Sequence, residues 1–276
     1  MSGARESDPP EGRYRLPMPA EDLLPALPPE IAAIGLPPRP WIVAHRGACG
    51  ESPENTIDSF QLAVEQKADM IELDLRLTSD GHLVAVHDLN LRRVSGQTVC
   101  VEDTALNILR RMDVSFHFHR GRRQARIPSL EEILEALPPR FPLTLDLKCR
   151  RAGRARYARA LSRALAGRGH VIYASFNWKL LAEVKSAIAG APVAPMARHR
   201  VPGVMRAAEQ LGAASLHCQF GSVTPRLLRF AAGTGRPVIA YTVDDAARAR
   251  RLVAAGAAGV FTNYPGRLRR ALLAMA

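Results

Sequence analysis

Eight short apolar runs, most of them followed by a segment of helical period, constrain this chain more than any other feature. The runs lie at residues 42–45, 70–75, 143–147, 171–175, 193–196, 215–218, 238–242 and 259–262. Between and after them lie amphipathic stretches at 55–68, 129–137, 154–166, 178–188, 224–232, 244–255 and 265–273. Buried parallel strands read as continuous apolar runs, and each needs a crossover helix to return to the same edge. Eight such alternations point to an α/β fold, a closed TIM (β/α)8 barrel, more than to an open sheet.

Two segments depart from the alternation. Residues 1–40 hold ten of the 21 prolines, including Pro9-Pro10, Pro28-Pro29 and Pro37-Pro38. Such pairs prevent a long helix or a central strand. This predicts a proline-rich N-terminal arm with at most a helical turn near residues 21–24, strapping the outside of the barrel or partly mobile. The barrel then spans 41–276. Residues 76–87 read as a hairpin with Asp80-Gly81 as a two-residue turn. In that register Asp74 faces His87, at about 5 Å by ordinary cross-strand spacing. Leu73, Leu75 and Leu77 then share one face with Val84 and Val86. A polar insertion, 88–127, follows the hairpin.

Composition excludes several classes. The longest apolar run falls well short of the roughly 20 residues that cross a bilayer, and no basic segment precedes an apolar one at the N-terminus as in a secretory signal. The four cysteines, Cys49, Cys100, Cys149 and Cys218, form no CxxC pair. They read as free thiols in a reducing cytoplasm. The formal charge is +12, carried mostly by arginine. Stretches such as 150–168 and 248–251 read as solvated helix faces that also attract anions. Aromatic residues make up 5%, too few for the stacking platforms of single-strand nucleic-acid binders.

The chemistry concentrates at strand ends. Glu72 and Asp74 stand at i and i+2 on one strand and point to the same side. Two carboxylates inside an apolar strand repel each other and lose hydration unless a positive group joins them, and a hard divalent cation is the natural guest. Asp146 and Lys148 repeat the spacing on the next strand, as a metal or phosphate contact or as an internal ion pair. His45 and Arg46 end the first strand. Active sites of TIM barrels lie where these groups fall, at the C-terminal strand ends. Two histidines, carboxylates, an arginine and a lysine at one mouth suit phosphoryl transfer. The pair His117 and His119 has metal-ligand spacing but lies among basic residues without a carboxylate. Phe176 and Trp178 line a pocket or pack a helix start.

The motifs occur in a telling order. AHRGACGESPENT at 44–56, IELDLRLTSDGHLVAVHD at 71–88, IPSLEEIL at 127–134, LTLDLK at 143–148, SF at 175–176, YTVDD at 241–245 and GVFTNYPGRL at 259–268 together resemble the glycerophosphodiester phosphodiesterase family, from about Trp41 onward. The resemblance implies a TIM barrel with its insertion at 88–127. It implies that His45 and His87 are the acid/base pair, that Glu72 and Asp74 ligate a metal, that Arg46 and Lys148 contact phosphate, and that Glu54 stands behind the ligands. Three residues depart from the family pattern. Asp146 replaces the usual third glutamate ligand, Tyr241 a tryptophan, and Asn263 an aspartate.

The reading is thus a cytoplasmic enzyme that uses one divalent ion, Mg2+ or Ca2+, on Glu72, Asp74 and Asp146. It splits a small glycerophosphodiester into glycerol 3-phosphate and an alcohol. Which histidine is acid and which base stays open, as does attack by the glycerol 2-hydroxyl or by water. Three rivals are a lysophospholipase D with an apolar groove near Phe116, Phe118 or Trp178, a silent binding protein motivated by Asp146, and a nucleic-acid binder motivated by charge alone.

Overall fold

A computed structural model describes residues 27–119, 124–150, 153–199 and 201–273, without the side chains of His117, His119 and Leu273. The strands are β1 (Trp41–Ala44), β2 (Met70–Leu77), β3 (Leu83–Ala85), β4 (Leu143–Leu147), β5 (Val171–Ser175), β6 (Val193–Ala197), β7 (Leu216–Gln219), β8 (Val238–Tyr241) and β9 (Gly259–Thr262). Their order is β1-β9-β8-β7-β6-β5-β4-β2-β3, and a further β1–β2 pairing closes the ring. Eight parallel strands therefore form the barrel, and β3 lies antiparallel on β2 alone.

Alternation along the strands sorts side chains into two layers. Ile42, Ala44, Ile71, Leu73, Leu75, Leu143, Leu145 and Leu147 pack outward against the helices. Trp41, Val43, Met70, Ile172, Ala174, Ile239 and Phe261 fill the interior. Glu72 and Asp74 follow Met70 on the inward side of β2. Asp146 sits inward on β4, in register with Asp74. The interior is thus apolar at the N-terminal end and acidic at the C-terminal end.

Local chemistry fixes where the helices begin. Ile57–Glu65 is opened by a capping box between Thr56 and Ser59, and Leu130–Ala136 by one between Ser129 and Glu132. Each satisfies backbone donors that the first turn leaves free. Asn177, Thr224 and Asp245 cap Trp178–Ala187, Pro225–Thr234 and Ala246–Ala254. The sequence reading missed the helix Val201–Leu211. Its Pro202 is tolerated because a proline in a helix's first turn removes no intrahelical bond.

The described part of the arm is built into the barrel floor. A helical turn at Pro29–Ala32 puts Ile31 and Ile34, both buried, into the interior cluster with Trp41 and Phe261. The turn expected at 21–24 lies outside the described residues.

The hairpin register needs correction. Leu75 pairs with Ala85 and Leu77 with Leu83, and the Val86 N–H donates to the Asp74 carbonyl at 2.9 Å. Thr78 and His82 close the loop, so Ser79, Asp80 and Gly81 form a three-residue turn, with Gly81 at φ +95°. Three-residue hairpin loops place glycine in that region. Leu83 and Ala85, not Val84 and Val86, therefore join Leu73, Leu75 and Leu77. Val84 and Val86 turn to the opposite face and found a small core with Leu91, Leu109, Met112 and Ile127 under the insertion.

Candidate active site

β1 delivers its residues through a tight loop. The His45 N–H continues the ladder to Thr262 O at 2.9 Å. Arg46 (φ 54°) and Gly47 (φ +77°) then turn the chain left-handed. A Cβ on Gly47 would lie 2.5 Å from Ser59 Oγ, so only glycine lets the loop press on helix Ile57–Glu65. The turn aims the Arg46 N–H at Glu72 Oε2, 2.7 Å away.

Glu72, Asp74 and Asp146 are all buried, and ligand atoms of the three lie within 4.8 Å of one another. Arg46 Nε stands 3.1 Å from Asp74 Oδ2. Lys148 Nζ reaches Asp74 Oδ1 at 3.1 Å and Asp146 Oδ2 at 2.5 Å. Asn55, which the sequence reading passed over, donates from Nδ2 to Asp74 Oδ2 at 2.9 Å and accepts the Asp74 N–H at 3.1 Å. Its φ of 56° is one that asparagine tolerates better than most residues. Only the neighbouring proline and glutamate hint at it in the sequence.

These charges do not balance. Burial raises the pKa of Glu72, and Asp74 and Asp146 raise it further against the opposing Arg46. Burial also raises Asp146 despite Lys148. For Asp74 burial acts upward too, but Lys148, Arg46, His87 and the Asn55 hydrogen bond outweigh it and hold the carboxyl well below the usual range. Two cations thus serve three carboxylates. Asp146 Oδ1 is buried with no hydrogen-bond partner among the described residues. A hard cation with oxygens at about 2.0–2.6 Å spans ligands up to roughly 5 Å apart across itself, so the donor set fits one divalent ion.

The two histidines have different partners. His45 Nδ1 lies 2.8 Å from Asn263 Oδ1, and the Cys49 thiol donates to the same oxygen at 2.9 Å. Asn263 Nδ2 donates to Asp244 Oδ2 at 2.6 Å, which fixes the amide with its oxygen toward His45. The proton of His45 therefore sits on Nδ1, and Nε2 carries the lone pair. Burial, then Arg46, lowers its pKa to about 4. His87 Nδ1 instead donates to Asp88 Oδ1 at 2.7 Å, and Arg93 Nε holds the other oxygen of Asp88 at 2.6 Å. Val86, not His87, stands opposite Asp74. His87 follows β3, and Arg76 ties its carbonyl to β2 through Nε and Nη2 at 3.0 and 2.8 Å. Its charge still bears on Asp74 and Asp146.

Glu54 lies behind this cluster, 3.0 Å from Arg46 Nη1, and also pairs with Arg93. The histidine pair 117 and 119 has its side chains outside the described residues. Phe176 is 40% exposed and meets Tyr241 edge-to-face at 6.0 Å. Tyr241, in the tryptophan position, leaves its hydroxyl buried without a described partner. Trp178 does both things the sequence left open. Its Nε1 donates to Met196 O at 3.1 Å, and its ring lines a chamber beside the carboxylates.

Comparison with known proteins agrees with this geometry. Residues 45–267 match the glycerophosphoryl diester phosphodiesterase family. A glycerophosphodiester phosphodiesterase of Caldanaerobacter subterraneus is 30% identical over 228 residues, covering 81% of this chain and 94% of that relative. A human lysophospholipase D is 39% identical over 112 residues, 38% of this chain and 35% of that protein. A phosphodiesterase of Oleispira antarctica, solved with the product sn-glycerol-3-phosphate, superposes with a TM-score of 0.79 at 27% identity, covering 86% of this chain and 97% of that one. With a closed parallel barrel, an acidic mouth and this match over most of its length, the chain belongs to the glycerophosphoryl diester phosphodiesterase family.

Proposed function

We propose that the enzyme hydrolyses small glycerophosphodiesters to glycerol 3-phosphate and an alcohol, with one Mg2+ or Ca2+ held by Glu72, Asp74 and Asp146. The observation that carries this reading is the set of three inward carboxylates with ligand atoms within 4.8 Å, one buried oxygen among them lacking any described partner. When bound, the ion neutralises phosphate charge and polarises the phosphorus centre. Arg46 and Lys148 bind the non-bridging oxygens beside it. Glu54 and Arg93 keep Arg46 in place.

The unequal histidine partners support an assignment of roles. His45, held neutral with its lone pair on Nε2, takes the proton from the nucleophile, the glycerol 2-hydroxyl or water. His87, whose Nδ1 is held by the Asp88 carboxylate at 2.7 Å, gives a proton from its other ring nitrogen to the leaving oxygen as the P–O bond breaks. Four unpaired cysteines support a reducing, cytoplasmic setting. No described helix is long and apolar enough to cross a membrane.

The test uses glycerophosphoglycerol, which is neutral outside its phosphodiester, with Mg2+ or Ca2+ and a glycerol 3-phosphate dehydrogenase readout. Release of glycerol 3-phosphate in stoichiometry with the alcohol supports the reading, and no product from the intact protein overturns it. A higher kcat/KM for lysophosphatidylglycerol would replace it with the lysophospholipase D reading. Retention on duplex DNA that weakens steeply with salt, without turnover, would favour the nucleic-acid reading.

A further inference from the structure

Beside the carboxylates lies a chamber whose charge the hydrolysis itself does not require. It measures about 1010 Å³, and Arg154, Phe176, Trp178, Lys179, Arg198 and His199 line it. Cys149, Phe176 and Asn177 are shared with a depression of about 310 Å³ that holds Asp146 and Lys148, so the two are continuous. The glycerol end of the substrate is small and constant. The larger space suits the variable part, the leaving alcohol.

No carboxylate among the described residues lines the chamber. Among the described residues Arg154 Nε is buried without a hydrogen-bond partner. Arg198 stands over the Phe176 ring at 5.7 Å, and Lys148 stands at 5.7 Å from the same centroid. The ring that would attract a quaternary ammonium therefore already has two cations about it. Arg154 and Lys179 also sit in the first turns of helices Arg154–Ala164 and Trp178–Ala187, which carry no acidic residue there. Cations at a helix N-terminus repel the helix dipole and one another, and a visiting anion relieves both.

We infer that this chamber receives the leaving alcohol and selects one that carries a second phosphate over one that carries a cationic group such as choline. The inference rests on the phosphodiesterase reading and adds the substrate class. No new bond chemistry is involved. Arg154, Lys179 and Arg198 bind the distal phosphate while the scissile phosphodiester lies at Lys148.

The test compares kcat/KM for three substrates with the metal-loaded enzyme: glycerophosphoglycerol carrying a terminal phosphate, glycerophosphoglycerol itself, and glycerophosphocholine. The phosphorylated substrate should exceed glycerophosphocholine by about tenfold or more at low salt, and about 1 M salt should erase most of the difference through screening. The double variant Arg154→Gln, Arg198→Gln should lose that preference through a higher KM while its rate on neutral glycerophosphoglycerol stays unchanged, which also reports that the variant is folded. Equal rates on all three substrates, a preference for glycerophosphocholine, or an equal loss on all three in the variant would overturn the inference and leave the phosphodiesterase reading standing. No turnover of any substrate by the unaltered enzyme would overturn both.

Discussion

The two sides of the barrel mouth are built on opposite electrostatic plans. On the side of β1, β2 and β4, buried carboxylates outnumber the cations that touch them, and nearly every polar atom is held by a second residue. On the side of β5 and β6, cations line an open chamber with no carboxylate among its described residues. A buried charge out of balance is costly, whereas an exposed one is hydrated and screened. The acidic side could therefore hold a cation, and on the inference above the basic side favours an anion. On the proposed reading, this difference separates residues that determine whether the reaction runs from residues that choose its substrate.

The sharpest way to break that contrast is at the carboxylates. Asp74→Asn should lower phosphodiester turnover by several kcal/mol, on the order of 10³-fold, because metal, Arg46 and Lys148 all lose their common partner. Turnover near the unaltered value at saturating metal would place the cation elsewhere. Next come the histidines. His45→Ala and His87→Ala should each cost about 10² to 10⁴ in kcat with little change in Tm. Near-normal turnover in either would refute its proton-transfer role. Restoring a His87→Ala variant preferentially with substrates whose alcohol leaves without protonation would sharpen its assignment as the acid.

Asp146 should give a smaller effect. Asp146→Ala should raise the metal concentration for half-activity by about tenfold or more, comparable to losing a supporting contact at a metal centre. Asp146→Glu should be tolerated or should tighten the site. An unchanged metal titration in Asp146→Ala would make this residue only the partner of Lys148. The smallest expected effect is at Asn263. A neutral amide faces His45 Nδ1, and burial, then Arg46, lowers the imidazole pKa to about 4. A general base works only when deprotonated, so the acid limb of the pH–rate profile should lie well below the usual histidine range. Asn263→Asp puts a carboxylate there, favours the imidazolium, and should move that limb upward by about one unit or more. A limb that stays in place would mean that another group sets it.

Much of this was legible in the sequence, and the failures have physical causes. The barrel was readable because buried parallel strands are apolar runs, and the inward pairs Glu72/Asp74 and Asp146/Lys148 followed from strand alternation. The slip at the hairpin came from taking Asp80-Gly81 as a complete two-residue loop. Ser79 joins it because the Thr78 hydroxyl also receives the His82 N–H at 2.9 Å, a side-chain bond invisible to pattern reading. His87 reached the mouth all the same, since Arg76 fixes its backbone independently of the register. Asn55 and the chain from His45 through Asn263 to Asp244 were not foreseen as partners, because contacts across 19 and 218 residues depend on closure of the ring. The basic chamber was hidden for another reason. Its arginines look in sequence like the many others on solvated helix faces, and only the fold gathers them beside Phe176.

The central claim is that the three carboxylates hold one divalent cation on which turnover depends. Calorimetric titration of Mg2+ and of Ca2+ into chelator-stripped protein, with phosphodiesterase activity read on the same samples, tests it most directly. The account predicts one ion bound per chain, activity rising with occupancy, and loss of both in a Glu72→Gln, Asp74→Asn variant that keeps the unaltered circular dichroism. Full turnover in excess chelator, with no ion bound, would contradict it.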